Sequence, residues 1–150
     1  MNQLIIAIAT GCYVGRLPTA PGTWGSIAAF VPWFFIRGLS LPLYLATIAI
    51  LFIIGFFAAG SAEKLMDQPD PGCIVIDEIV GMLVALTLVP DHPAAWLLAF
   101  ILFRIFDIWK PFPVSWFDRH LHGGIGIMLD DVMAGVYAFV CLQIIRALFR

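Results

Sequence analysis

The chain has 150 residues, of which 62% are hydrophobic and 12% charged, and its formal net charge is −2. A soluble domain carries about 25% charged residues, so this chain cannot cover a water-facing globule and reads as a membrane protein, one domain over 1–150. The slight negative balance, with no basic stripe interleaved with aromatics, excludes nucleic acid as a partner.

The first stretch, MNQLIIAIATGCYVG, lacks the positive n-region of a cleaved signal peptide. It spans, lies flat or packs on the bundle. Cys12, Cys73 and Cys141 form no CxxC pair, which argues against a zinc site or a disulfide framework. GRLPTAPGTWGS, at 15–26, is the first of three polar stations. Residues 27–36 are apolar but too few to cross a hydrocarbon core of about 30 Å, so a re-entrant or tilted helix is expected there. Gly and Pro break the chain at 36–42. LYLATIAILFIIGFFAAGSA, at 43–62, is free of charge and long enough to cross. The second station, SAEKLMDQPDPGCIVIDE, fills 61–78. The apolar segment 71–89 crosses only if its acidic first turns lie in the interface. VPDHP, at 89–93, turns the chain, and 94–110 returns with polar last turns. The third station occupies 104–131. Residues 132–149 form the last crossing or a helix lying on the surface. The expected architecture is all-α: a compact helical membrane protein with several transmembrane or re-entrant helices.

Among Asp, Glu, Lys and Arg, only Arg37 and Asp91 fall outside the stations and the chain ends. Both sit in the short turns between helices. Two crossings separate each station from the next, so all three stations meet at one membrane face with Arg37 and Asp91 at the other. Arg16, Lys64, Arg104, Lys110 and Arg119 lie on the station side. Arg37 lies opposite, joined by Arg146 and Arg150 if the last helix crosses. The positive-inside rule then places the stations in the cytoplasm.

The stations carry the chemistry. Asp70 followed by Pro71 reads as an N-cap and first helical residue. Asp70, Ile74, Asp77 and Gly81 would then share one helical face, with Glu78 beside it. Carboxylates crowded where a helix enters lipid are costly unless a cation neutralises them, and oxygen-only ligands suit Mg²⁺. For Asp70 alone, a simple helix cap explains as much. In the third station Arg104, Asp107 and Lys110 recur three residues apart before Pro111 and Pro113 end the helix. An Arg fork and a Lys point charge near a metal are what a phosphoryl group needs. An internal Arg104–Asp107 pair with Lys110 reaching the headgroups is the plainer reading. Asp130 and Asp131 open the last helix. One of them serves as its cap on the plain reading, which leaves the other unexplained. In the first station Thr19, Thr23 and Ser26, with backbone N–H groups around Gly22 and Gly25, suit an anion at a helix start. His120 and His122 are solvated loop residues or proton donors to a leaving group. Together the residues point to metal-assisted phosphoryl chemistry on a membrane-bound substrate, with water as the nucleophile. A small ion carrier or channel with an acidic site and no hydrolysis is the alternative.

LPTAPGTWGS, DPGCIVIDEIVGM, FRIFDIWKPFPVSWFD and HGGIGIMLDDVMAG, in this order and over nearly the whole chain, resemble the four blocks of the phosphatidylglycerophosphatase A family. The resemblance implies a Mg²⁺-dependent lipid phosphatase of the bacterial cytoplasmic (inner) membrane with its active site facing the cytoplasm. It implies hydrolysis of phosphatidylglycerophosphate to phosphatidylglycerol and phosphate in phospholipid biosynthesis. By position, Asp70, Asp77, Glu78, Asp107, Asp130 and Asp131 would hold the metal, and Asp77, Glu78, Asp107, Arg104 and Lys110 would be catalytic. Thr19, Gly22, Thr23 and Ser26, with Arg104 and Lys110, would hold the substrate. Arg16, Leu17 and Pro71 depart from the family's usual residues without touching the acids.

Overall fold

The computed structural model describes residues 1–149, with residues 117–119 as backbone alone. The side chain of Arg119, and Arg150, both counted above in the charge balance, lie outside the described residues. The described residues hold eight α-helices and no strand: α1 (Asn2–Ala9), α2 (Pro21–Ala28), α3 (Phe30–Ile36), α4 (Leu41–Met66), α5 (Ile76–Ala85), α6 (Pro93–Trp109), α7 (Val114–His120) and α8 (Gly123–Leu148). The expected all-α membrane architecture is what forms.

Punctuation residues set the ends. Prolines open α2, α4 and α6 in their first turns, where a missing N–H breaks no helical bond. The ring of His92 accepts from the backbone N–H of Ala94 at the start of α6 (3.2 Å). Asp67 and Lys110 close α4 and α6 in left-handed backbone. At 26 residues each, α4 and α8 are roughly 39 Å long, enough to cross a bilayer. The 10-residue α5, roughly 15 Å long, cannot cross on its own. Helices α2 and α3 meet at Ala29, so residues 27–36, expected as one re-entrant or tilted helix, are shared between two short helices. Helix α1 packs on α4.

Helix α8 is the centre of the bundle, packed by α4, α5, α6 and α7. It buries Met128, Ala134, Ala138 and Leu142, so 132–149 does not lie on the surface. Small residues let backbones touch. A Cβ on Gly135 would fall 2.2 Å from the carbonyl oxygen of Gly81. A Cβ on Gly124 would fall 2.1 Å from that of Phe56 in α4. Gly124→Ala therefore forces α4 from α8 and should cost roughly 1–3 kcal/mol, as overpacking does. Thermal unfolding in detergent checks it, with Gly38→Ala, where an added Cβ meets nothing within 4 Å, as the unshifted control.

The outer faces stay apolar. Phe35, Phe57 and Leu97 are 84%, 64% and 58% exposed, which suits lipid and not water. Charges sort to the two ends as expected. Arg37 pairs with Asp91 (2.8 Å) and lies over the rings of Trp33 and Trp96. Arg146 donates to the carbonyl of Leu88 at that same end.

Two helix starts differ from expectation. Asp70 is no N-cap: its φ is +43°, and α5 begins six residues later, at Ile76. A turn closes from the N–H of Ile74 to the carbonyl of Pro71, and the N–H of Val75 donates to the carbonyl of Ala9 at the end of α1 (2.9 Å). That tertiary bond holds the segment out of the helix, so Asp70 and Ile74 do not share a face with Asp77 and Gly81. Helix α8 begins at Gly123, after an extended His122, so Asp130 and Asp131 lie in its third turn and do not open it. Within the helix, Gly124 and Gly126 sit where only a Cβ-free backbone fits beside the carbonyls of Phe56 and Leu121.

Candidate active site

Helix α5 carries Asp77 and Glu78 in its first turn. Its Gly81 lies so close to α8 that a Cβ there would stand 2.6 Å from the carbonyl oxygen of Asp131. One turn earlier, Asp77 therefore meets α8 at Asp131. Asp77, Glu78 and Asp131 each offer a carboxylate oxygen within 4.8 Å of the others. Two unit charges at that spacing repel by on the order of 3 kcal/mol at an effective dielectric of 20. A fully ionised cluster thus needs a compensating cation.

Asp77 Oδ1 and Glu78 Oε2 are buried without a hydrogen-bond partner, and buried polar atoms are rarely left so. Burial, then the charges of Glu78 and Asp131, pushes the Asp77 carboxyl well above the usual carboxylate range. Burial likewise raises Glu78, against a lowering hydrogen bond from Asp77; Asp107 adds to the rise and Arg104 opposes it. Orphaned, clustered, all-oxygen donors fit a hard divalent cation.

Cationic groups border the cluster. Arg104 on α6 donates to Asp107 Oδ2 (2.5 Å) and, at 3.4 Å, to the hydroxyl of Ser26 on α2. Ser26 is buried and donates to the carbonyl of Gly22 (2.8 Å). A Cβ on Gly22 would stand 2.3 Å from Glu78 Oε1 and 3.2 Å from Arg104 Nη1. Gly22 is thus where α2 touches both the acids and the guanidinium. Lys110, just past the end of α6, donates to Asp130 Oδ2 (2.6 Å).

The structure thus brings Gly22, Ser26, Asp77, Glu78, Arg104, Asp107 and Asp131 into one neighbourhood, with Lys110 and Asp130 adjoining through α8. Thr23 is half-buried on α2, and Thr19 is exposed in the turn before it. Asp70 stands apart from the three-acid group. Its backbone N–H donates to Glu63 Oε1 (3.3 Å), and it lines a cavity of about 90 Å³ with Glu63, His122 and Asp130. Sequence reasoning passed over Glu63, since SAEKL reads as an ordinary solvated helix end, and only the fold brings it to that rim.

The sequence profile of the phosphatidylglycerophosphatase A family matches residues 7–146. The phosphatidylglycerophosphatase A of Escherichia coli K12 is 42% identical over 130 residues, covering 86% of this chain and 76% of that protein. That of Haemophilus influenzae is 39% identical over 141 residues, 93% of this chain and 86% of that protein. A Bacteroides thetaiotaomicron protein provisionally described as a phosphatidylinositol-3-phosphatase is 38% identical over 151 residues, 95% of this chain and 94% of that protein. No solved structure matches the chain significantly. With the profile and these relatives covering nearly all of it, the chain belongs to the phosphatidylglycerophosphatase A family and is a phosphoric monoester hydrolase.

Proposed function

We propose that this chain hydrolyses phosphatidylglycerophosphate to phosphatidylglycerol and inorganic phosphate in bacterial phospholipid biosynthesis, with Mg²⁺ as cofactor. The whole chain acts as one catalytic domain at the cytoplasmic face of the inner membrane. The observation that carries the reading is the buried group Asp77, Glu78 and Asp131, with two orphaned oxygens, beside the guanidinium of Arg104. Lys64, Arg104 and Lys110 at the site end support the cytoplasmic orientation.

Asp77, Glu78 and Asp131 would hold the cation, with Asp107, Asp130 and Asp70 completing the acidic surround. When bound, Mg²⁺ supplies charge neutralisation at the phosphate and makes a water molecule more acidic. Arg104 and Lys110 hold the phosphoryl oxygens, the first as a two-donor fork and the second as a point charge. Asp107 and Ser26 fix the plane of that fork. The acids would accept the proton that the attacking water gives up and return it to the glycerol oxygen as the P–O bond to glycerol breaks, leaving phosphatidylglycerol and phosphate. Thr19, Thr23 and the backbone at Gly22 would contact the phosphate or the headgroup glycerol.

Gly22→Ala tests the joint between α2 and the acids. The added methyl displaces the Glu78 carboxylate, the flexible end of a side chain, so the fold is retained. Phosphate release should fall roughly tenfold or more, the range for disturbing groups that orient metal ligands, and the Mg²⁺ concentration for half activity should rise.

The reading itself is tested by phosphate release in detergent from phosphatidylglycerophosphate and, separately, from phosphatidylinositol-3-phosphate. Release from the first that stops with chelator and returns with Mg²⁺ is expected. Preference for the inositol lipid would overturn the substrate, and ion flux without phosphate release would overturn hydrolysis altogether.

A further inference from the structure

Two apolar hollows lie along the outer side of α6 and share Phe100. The first, about 360 Å³, lies between α2–α3 and α6 and is lined by Ile27, Phe30 and Leu97 among others. The second, about 550 Å³, is an open hollow lined by α6 alone, from Phe100 past Ile101, Arg104 and Ile105 to Trp109. Together the two form a trough along α6 from Pro93 to Trp109, roughly 24 Å at 1.5 Å per residue; the stretch from Pro93 to Arg104 is roughly 16 Å, against roughly 15 Å for one leaflet of a 30 Å core.

Arg104 is the one charged residue among the side chains lining either hollow. Its stem lines the trough while its guanidinium turns in toward Ser26 and Asp107. An apolar stretch one leaflet long therefore leads from Pro93 to a cation facing the carboxylate cluster, with Ile108 and Trp109 continuing the apolar surface beyond it. Charge complementarity at Arg104 and hydrocarbon along the stretch toward Pro93 match a molecule that is anionic at its head and aliphatic below.

We propose that this trough seats an acyl chain of the substrate lipid, so that a lipid phosphomonoester enters sideways from the bilayer between α2 and α6. The inference rests on the lipid-phosphatase reading above and adds where the hydrophobic half of the substrate lies. Selection of lipid over water-soluble phosphate esters then arises at Leu97, Phe100 and Ile101, away from the acids.

The test uses the full chain in phosphatidylcholine vesicles containing phosphatidylglycerophosphate with a diazirine on one acyl chain. After irradiation, label is expected on residues 97–105 and 27–30, and excess unlabelled phosphatidylglycerophosphate should suppress it. Leu97→Trp and Ile101→Trp, which fill the trough at lipid-exposed positions, should lower that label about tenfold. They should also lower the ratio of long-chain to dihexanoyl kcat/KM about tenfold. Ile53→Trp, on the exposed face of α4, should change neither. Label spread evenly over α4 and α6, label that the unlabelled lipid does not suppress, or an unchanged chain-length ratio would overturn the proposal. Suppressible label in the trough without phosphate release would leave the trough standing and sink the hydrolysis reading instead. Occupation of the trough by a neighbouring protein helix would show as label excluded from it, which also overturns the proposal.

Discussion

Asp77→Asn lowers Mg²⁺-dependent phosphate release at least a hundredfold and, in chelator, raises the thermal midpoint of the protein. The opposed signs are the point. Asp77 Oδ1 is buried without a partner, and Asp77, Glu78 and Asp131 each put a carboxylate oxygen within 4.8 Å of the others. In the cation-free protein burial and the charges of Glu78 and Asp131 oppose ionisation of Asp77, and a neutral amide escapes that cost, so the fold gains. With Mg²⁺ present it removes an anionic ligand, and catalysis loses the stabilisation that ligand helped to provide, on the scale of 10²–10³ that one preorganised electrostatic group supplies. A merely structural acid would lose stability when replaced, and one merely facing solvent would change neither quantity. Differential scanning fluorimetry with and without chelator, alongside a phosphate assay, reads both. Equal activity of Asp77→Asn at limiting Mg²⁺ would remove Asp77 from the ligand set.

Arg104→Lys lowers kcat/KM for the lipid by two orders of magnitude or more, close to the loss in Arg104→Ala. Lys keeps the charge but not the planar fork. Here one guanidinium reaches both Asp107 and Ser26 from α6, and Gly22 is open enough to admit it. An ammonium cannot hold those partners and two phosphoryl oxygens at once. Arg104→Ala also takes the guanidinium from the part-buried Asp107, which adds a stability cost. Ser26→Ala separates the two roles: it loosens the fork without removing charge, so its effect should fall mainly on kcat and remain below tenfold. Steady-state kinetics on the three variants check the order.

Much of this was legible in the residues because the bilayer sorts them strongly. Apolar runs cut by Gly–Pro turns locate the helices, and the isolated Arg37 and Asp91 find each other across the far end. Asp77, Glu78 and Arg104 stand out because charge inside apolar sequence is expensive. What stayed hidden depends on tertiary contacts. Nothing local says that Val75 will bond to Ala9 and hold Asp70 out of α5. Nor does GGIGIM, which looks like a loop, announce that it packs as helix against Phe56 and Leu121. The adjacent pair Asp130–Asp131 looks like one ligand unit. On a helix of 3.6 residues per turn, neighbours point about 100° apart, so Asp131 meets the α5 acids while Asp130 meets Lys110.

The most direct measurement is phosphate release from phosphatidylglycerophosphate titrated with Mg²⁺, wild type beside Asp131→Asn. If the three buried carboxylates are the seat of a cation-dependent reaction, the variant needs at least tenfold more Mg²⁺ for half activity and reaches a far lower plateau. Superimposable curves, or wild-type release unaffected by chelator, would contradict it.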